Sequence, residues 1–416
     1  MMLRRKVRTV IVGFGNRARK YLRHLVSIPD IVDVVAVIDP DGRRLYEGTV
    51  EFGLTRSICF RSLDDFFASG ISADAAVVAT PDASHCRIGV RMLEQGLSLL
   101  LEKPMAVTEG ECRNLADAVN EAEGRSAFMS TGLCYVLRYH PYYNRIQELA
   151  RRPELGRITA VHHRVYIGID RMTHTFVRGL WSRSEDSSPI FLSKCCHDVD
   201  WLFSLVRCRS IDDVTEIVSS GSLTRYCSSS APDGSASRCV ECPLSSSCRY
   251  SATDLYLRRR EWTDNFIPGA GETKDEVIGR EVTEGRFGRC VFRCDNDVED
   301  FRRAEFRFRS GLSMDVTMDG LTDRDGRETV IEFEHGRITA SAGQIELTAS
   351  DGHTSREDWS RLCSAPYHSG SDFAVIDDFV GSILTGTPMR CTLRDALPAT
   401  IACLRAAVDC PKLSLF

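Results

Sequence analysis

Two rhythms of apolar residues alternate along the first 125 positions. Continuous apolar runs occupy residues 9–12, 32–38, 75–79 and 97–101. Between them, residues 16–28, 63–69 and 84–95 carry apolar positions three and four apart. Runs of the first kind read as buried strands, and spacing of the second kind reads as helices packing on them. Gly96 stops the helix that begins near Ser84, and Thr108-Glu109-Gly110-Glu111 is a capping box opening a helix to about Glu123. Strand–helix alternation at this spacing predicts right-handed βαβ units and a parallel sheet, a Rossmann-type α/β domain over residues 1–125.

After about residue 150 the pattern changes. Residues 158–167, 303–308, 313–318, 329–334 and 344–348 alternate apolar and polar, as half-buried strands do. At 416 residues the chain is long for one core. The expected division is a first domain over residues 1–125 and a second over 126–416.

Composition narrows the function. The net charge is −5, which favours neither nucleic acid nor an anionic membrane as partner. No apolar run approaches the roughly 18 residues needed to cross a bilayer. The start of the chain, Met1-Met2-Leu3-Arg4-Arg5-Lys6, is basic but has no apolar segment of the signal-peptide kind. A cytoplasmic protein is expected.

The strand ending at Val12 runs into Gly13-Phe14-Gly15-Asn16-Arg17-Ala18. Gly13 allows a tight turn, Gly15 lets backbone approach a pyrophosphate, and the next helix offers its N-terminal N–H groups. Asp39 ends the second strand, where an acid binds adenosine ribose hydroxyls and selects NAD. Arg43 and Arg44 follow closely and would suit the 2′-phosphate of NADP. Thr80, Pro81 and His85 follow the third run at the same carboxyl edge. Glu102-Lys103-Pro104 closes the fourth, placing an amine where open α/β sheets bind ligands.

These motifs resemble the Gfo/Idh/MocA family of NAD(P)-dependent oxidoreductases. The resemblance is carried by the glycine loop, Ala79-Thr80-Pro81 with His85, Glu102-Lys103-Pro104, Gly132 through Arg138-Tyr139-His140-Pro141, and Cys196-His197-Asp198-Val199-Asp200, in that order. A weaker likeness continues at His368-Ser369-Gly370-Ser371-Asp372, where relatives are often richer in glycine. The resemblance implies a second domain with a large, mostly antiparallel open sheet, a homo-oligomer (dimer or tetramer), and hydride exchange between nicotinamide and a sugar, polyol or related small molecule.

Residues 189–206 read as a helix on which Lys194, His197 and Asp200 fall three apart. In the family, the resemblance implies, this histidine meets the substrate hydroxyl and an acid stands four residues before it. Here that position is Ser193, followed by Lys194. Lys103 is the expected acid/base with His197 sharing the proton and Lys194 beside them; Tyr135, Arg138 and Asp200 are candidate substrate contacts. Two other activities fit the same motifs: glycoside cleavage assisted by tightly held NAD, and a non-catalytic NAD(P)-binding sensor, which the missing acid at Ser193 would suit.

Seventeen cysteines are many for a cytoplasmic chain. Most stand singly in apolar segments and serve as small hydrophobes. Cys239-Val240-Glu241-Cys242 and Cys248, after the Ser-rich stretch 228–237, present thiols at metal-ligand spacing, and Cys290, ahead of Cys227 and Cys294, is the expected fourth ligand of a structural zinc site. One branch of the family resembles this stretch, including the following Tyr250-Ser251-Ala252.

Overall fold

The computed structural model describes residues 6–409 apart from 127–128 and 270. The chain divides into two compact units, each built from separate stretches. One comprises Met1–Pro153, Cys196–Asp212 and Glu357–Ala402; the other comprises Glu154–Cys195, Asp213–Arg356 and Cys403–Phe416.

The first unit holds a six-stranded sheet built from β1 (Val7–Val12), β2 (Val32–Ile38), β3 (Cys59–Phe60), β4 (Ala75–Val78), β5 (Ser98–Leu101) and β6 (Thr131–Leu133). Their order is β3-β2-β1-β4-β5-β6, every pairing parallel. This is the strand order of the doubly wound dinucleotide fold, reversing direction between β1 and β4. Every residue of β4 and β5 is buried, as expected of parallel strands covered on both faces. The helices α1 (Asn16–Leu25), α2 (Gly42–Phe52), α3 (Leu63–Ala68), α4 (His85–Glu94) and α5 (Glu109–Arg125) alternate with the strands. The hydrophobic runs located four of the six strands. β3 has only two residues and β6 three, too short to show a period.

The cap of α5 differs in one bond from the expected box. Thr108 Oγ1 accepts the Glu111 N–H at 3.2 Å, but the Glu111 carboxylate reaches the Val107 N–H at 3.3 Å rather than the N–H of Thr108. The glutamate still satisfies a backbone donor that the helix leaves open.

The second unit holds an eight-stranded sheet of β7 (Ile158–Gly168), β8 (Val214–Ser222), β9 (Phe301–Phe308), β10 (Ser313–Thr322), β11 (Gly326–Phe333), β12 (Gly336–Ser341), β13 (Gln344–Ala349) and β14 (Thr354–Asp358). Its order is β14-β13-β12-β11-β7-β10-β9-β8. Only the β7–β10 pair is parallel among the registered pairings. Alternation is plain in β9, where Arg302, Ala304, Phe306 and Phe308 are buried and Arg303 and Arg307 exposed. No helix among the described residues is long and apolar enough to cross a membrane.

Gly13 ties sequence to fold most tightly. It takes φ +82°, and a Cβ there would lie 2.7 Å from the Ala79 carbonyl oxygen at the end of β4. Backbone conformation and backbone contact therefore both demand glycine. Gly13→Ala is expected to destabilise the protein by about 3 kcal/mol, combining left-handed strain with overpacking. A chemical denaturation midpoint equal to the parent's would contradict this.

Candidate functional site

The carboxyl ends of β1, β2, β4 and β5 carry the predicted cofactor residues. α1 starts at Asn16 with Gly15 as its N-cap, and no side chain caps the first turn. A Cβ on Gly15 would meet nothing within 4 Å. The opening N–H groups of α1 thus face free space with no side chain competing for them, the environment a pyrophosphate fills. The residues fit a dinucleotide. Phe14 contributes differently: its ring is fully buried and packs edge-on to Phe52, so only its backbone belongs to the loop.

Asp39 is 2% exposed. One carboxylate oxygen accepts the Phe14 N–H at 2.6 Å and the other accepts the Asp41 N–H at 2.8 Å. Arg44 stands 3.6 Å away and Arg43 pairs with Asp41. The carboxylate at the end of β2 therefore shapes the glycine loop.

On the next strand end, the ring nitrogens of His85 lie 2.8 Å from the Thr80 carbonyl oxygen and 2.6 Å from that of Pro104. His85 joins the loop after β4 to the turn after β5. Thr80 Oγ1 also accepts the Ser84 hydroxyl at 2.7 Å, and Pro81 is exposed.

Glu102 is 4% exposed, whereas Lys103 beside it is half-buried. The Glu102 carboxylate accepts from Arg17 Nε at 2.6 Å, the Tyr21 hydroxyl at 2.5 Å and the Lys103 N–H at 2.9 Å. Arg17 reaches on to Asp372 at 2.8 Å, and Asp372 pairs with His368 at 3.0 Å. Burial pushes the Glu102 carboxyl up, but Arg17, Lys103 and Tyr21 outweigh it and hold it below its ordinary range. Asp372 is fully buried and is likewise carried down, against desolvation, by His368 and Arg17. The segment holding His368 is strained: Tyr367, His368, Ser369 and Gly370 have φ of +57°, +50°, +57° and +81°. A run of left-handed residues suits glycine. Tyr21, His368 and Asp372 escaped the sequence reading as site residues, since they join Arg17 and Glu102 only in three dimensions.

The helix Ile190–Leu205 carries the remaining candidates. Of residues 191–200, only Lys194 and His197 are not buried. Ser193 is 3% exposed and its hydroxyl bonds the Ile190 carbonyl of its own helix at 3.3 Å. Asp200 is fully buried and receives a two-pronged bond from Arg138, at 2.7 Å and 2.6 Å. Arg138 and Asp200 are therefore bound to each other. Tyr135 is also fully buried, its hydroxyl 3.0 Å from Thr400 Oγ1 and its ring edge-on to His197 at 5.6 Å. His197 falls in the same compact unit as Lys103, and Lys194 in the other. The Cys196 thiol is pushed up to about 12 by burial, an effect the nearby Lys103 ammonium opposes.

The expected zinc site is not formed as a single-ion site. Among the described residues no three His, Cys, Asp or Glu side chains converge closely enough to hold one metal ion. Cys239, Cys242, Cys248 and Cys290 instead line a cavity of about 300 Å³. Cys227 and Cys294 are not on its wall.

The Arg17 network generates a testable expectation. Asp372→Asn leaves Arg17 beside a neutral amide and should destabilise the protein by about 3 kcal/mol. Because the folded state depresses the Asp372 pKa, its contribution is present above the unfolded value near 3.8 and is lost as pH falls further. The gap between variant and parent should hold steady from pH 7 to 5 and close below pH 4. Denaturation midpoints that do not converge at acid pH would contradict it.

Residues 7–129 match the family model described as an oxidoreductase family with an NAD-binding Rossmann fold, Gfo/Idh/MocA. The Bacillus subtilis protein named as an oxidoreductase, YteT, is 23% identical over 274 residues, 64% of this chain and 60% of that protein. Inositol 2-dehydrogenase 1 of Paenarthrobacter aurescens is 26% identical over 157 residues, 38% of this chain and 44% of the enzyme. The matches thus span less than two thirds of these relatives. A solved oxidoreductase from Agrobacterium radiobacter, in complex with NAD+, L-tartaric acid and magnesium, shares the fold at a TM-score of 0.68 and 13% identity, covering 97% of this chain and 96% of that one. Over residues 7–129, the chain is similar to the Gfo/Idh/MocA oxidoreductases, in the segment that the model of their NAD-binding Rossmann fold covers.

Proposed function

We propose that the protein is an NAD-dependent dehydrogenase or reductase acting on a hydroxyl or carbonyl carbon of a sugar or polyol. The observation that carries this reading is Lys103 itself. A partly exposed amine ends β5 on a backbone fixed by buried Glu102 on one side and by the His85–Pro104 contact on the other. An inositol dehydrogenase among the relatives supports the substrate class.

A bound nicotinamide would supply the two-electron acceptor or donor for the hydride. Lys103 Nζ, in its neutral form, takes the proton of the reacting hydroxyl during oxidation and returns it during reduction. His197, oriented by the Tyr135 ring, accepts a hydrogen bond from the same hydroxyl or passes its proton onward. Tyr135, Arg138 and Asp200 act as positioning residues, holding the helix and its histidine. NAD is the proposed cofactor because a 2′-phosphate would lie against the buried Asp39 carboxylate, which two backbone N–H groups hold in place.

Lys103→Ala should lower kcat by 10²- to 10⁴-fold on a sugar or polyol that the parent oxidises, with NAD affinity unchanged. Unchanged turnover would remove Lys103 from the reaction. A panel of sugars and polyols read at the nicotinamide absorbance with NAD and NADP tests the whole reading. No turnover with any substrate would favour the sensor, and NAD that stays bound without net NADH release would favour assisted glycoside cleavage. Tighter binding of NADP than NAD would overturn the cofactor assignment. Gly15→Ala separates fold from binding. With open space at that Cβ, its denaturation midpoint should match the parent's while NAD binds at least about tenfold more weakly, a loss of ~1.4 kcal/mol from the steric conflict with the pyrophosphate.

A further inference from the structure

Within the second unit, residues 239–287 form a lobe with a small core of its own. That core draws only on residues 239–282, with Trp262 and Phe287 packed against it. One side chain from outside enters its aromatic side. His174, 6% exposed, stacks on Phe287 with ring centroids 5.0 Å apart and leans on Trp262 at 5.3 Å and Phe266 at 6.4 Å. It meets the Tyr256 ring edge-on at 5.7 Å, and its Nδ1 lies 3.0 Å from the Tyr256 hydroxyl. The proposed hydride transfer makes no use of this buried imidazole.

The backbone on both sides of this contact departs from regular form. His174 lies in the turn Met172–Val177 and Tyr256 in the turn Thr253–Arg258, and both are π-helical. The Arg178 N–H reaches back five residues to the Thr173 carbonyl at 3.0 Å, and the Arg259 N–H to that of Asp254 at 2.9 Å. Such turns are rare and recur at functional sites. Just beyond the second turn, Arg260 and Trp262 both take φ +59°. Left-handed backbone at a bulky residue persists where its surroundings hold it. For Trp262 those surroundings include the His174 ring and the Arg171 guanidinium, 5.0 Å from the indole.

This cage suits a neutral ring and opposes a cation. Burial, then Arg178 and Arg171 of the same stretch, push the His174 pKa down to about 4. The acids of the packed elements are engaged elsewhere. Asp254 of the second turn is bound to Arg258 and Arg259, and Asp170 to Arg259 at 2.8 Å. Glu261 also pairs with Arg259, Arg260 with Asp275 of the helix Lys274–Thr283, and Asp264 is exposed. Lys274 donates to the Thr263 and Phe266 carbonyls at 2.8 and 2.7 Å, and Arg286 is directed to Ser182. Because the closed arrangement lowers the pKa, the contact contributes fully above the ordinary histidine value of 6.5. That contribution is lost as pH falls from there towards 4. Each pH unit in this window multiplies the open-to-closed ratio by about ten.

We propose that His174 is an acid-sensitive latch: a proton taken up on its ring parts the turn Met172–Val177 from Trp262, Phe266 and Phe287 and opens the aromatic side of the lobe. The strained backbone at Arg260 and Trp262 relaxes as the rings separate. Arg178 keeps the lobe attached meanwhile, through its bonds to the Tyr250 and Arg289 carbonyls at 2.7 and 2.8 Å. Opening of this kind is local, confined to one cooperative part of the fold. It does not depend on the reaction proposed above.

The test uses the full chain labelled with 5-fluorotryptophan and followed by fluorine NMR from pH 7.5 down to pH 4. Trp262→Phe identifies the Trp262 resonance among the four tryptophans. A reversible change of the Trp262 signal that begins below pH 6.5 is expected, with the buried Trp201 of the first unit unchanged. In His174→Gln, which keeps a neutral hydrogen-bonding side chain, Trp262 should hold its native signal throughout. A Trp262 signal indifferent to pH overturns the proposal. So does one that moves only together with Trp201, as in general acid unfolding, or that moves equally in His174→Gln. Should that variant fail to fold, the unaltered chain still decides. The His174 ring, identified by its proton contacts with Tyr256, must gain its proton in step with the Trp262 change; protonation at a different pH from that change overturns the latch.

Discussion

One guanidinium holds the candidate site together. Arg17 leaves the first turn of α1 and lies between Glu102 at the end of β5 and Asp372, 355 positions further on. Two carboxylates this deeply buried would each favour the neutral acid; the shared arginine, with Lys103 and Tyr21 at Glu102 and His368 at Asp372, outweighs burial and lowers both. Such an arrangement is costly to desolvate and contributes little net stability, but it is highly directional. The glycine loop, the lysine after β5 and the helix Ser371–Thr385 are fixed relative to one another through a few hydrogen bonds.

Sequence alone reached most of the first sheet, because runs such as 75–78 and 98–101 are apolar at nearly every position and sit between recognisable helices. It also located five of the eight strands in the second sheet. β8, β12 and β14 went unseen: β8 has serine and glycine where an apolar alternation would show, and β14, Thr-Ser-Arg-Glu-Asp, is almost wholly polar. Long sheets recruit such edge segments by backbone pairing, which leaves little trace in side-chain pattern.

The same limit applies to the site. Local motifs identified Gly13, Gly15, Asp39, Glu102 and Lys103, whose places follow from strand ends. They also singled out Arg138 and Asp200 separately, without any sign that the two would bind each other across 62 positions. Ion pairs between distant segments have no spacing rule, and a charged residue reads alike whether it will face substrate or another side chain. Tyr135 is a related case: an aromatic next to a motif looked like a pocket wall, whereas packing buried it completely under His197.

Asp39 holds the glycine loop from the end of β2, and this bears on what replacing it would do. Where an acid at the end of β2 only contacts ribose, replacing it alters preference at little cost. Here the same carboxylate receives the Phe14 and Asp41 N–H groups, so replacing it would also release the glycine turn. A change of charge at this strand end that spares the turn therefore runs through the arginines on α2 rather than through the acid. Arg44, already 3.6 Å from Asp39, offers evolution or an engineer a route that leaves the turn intact.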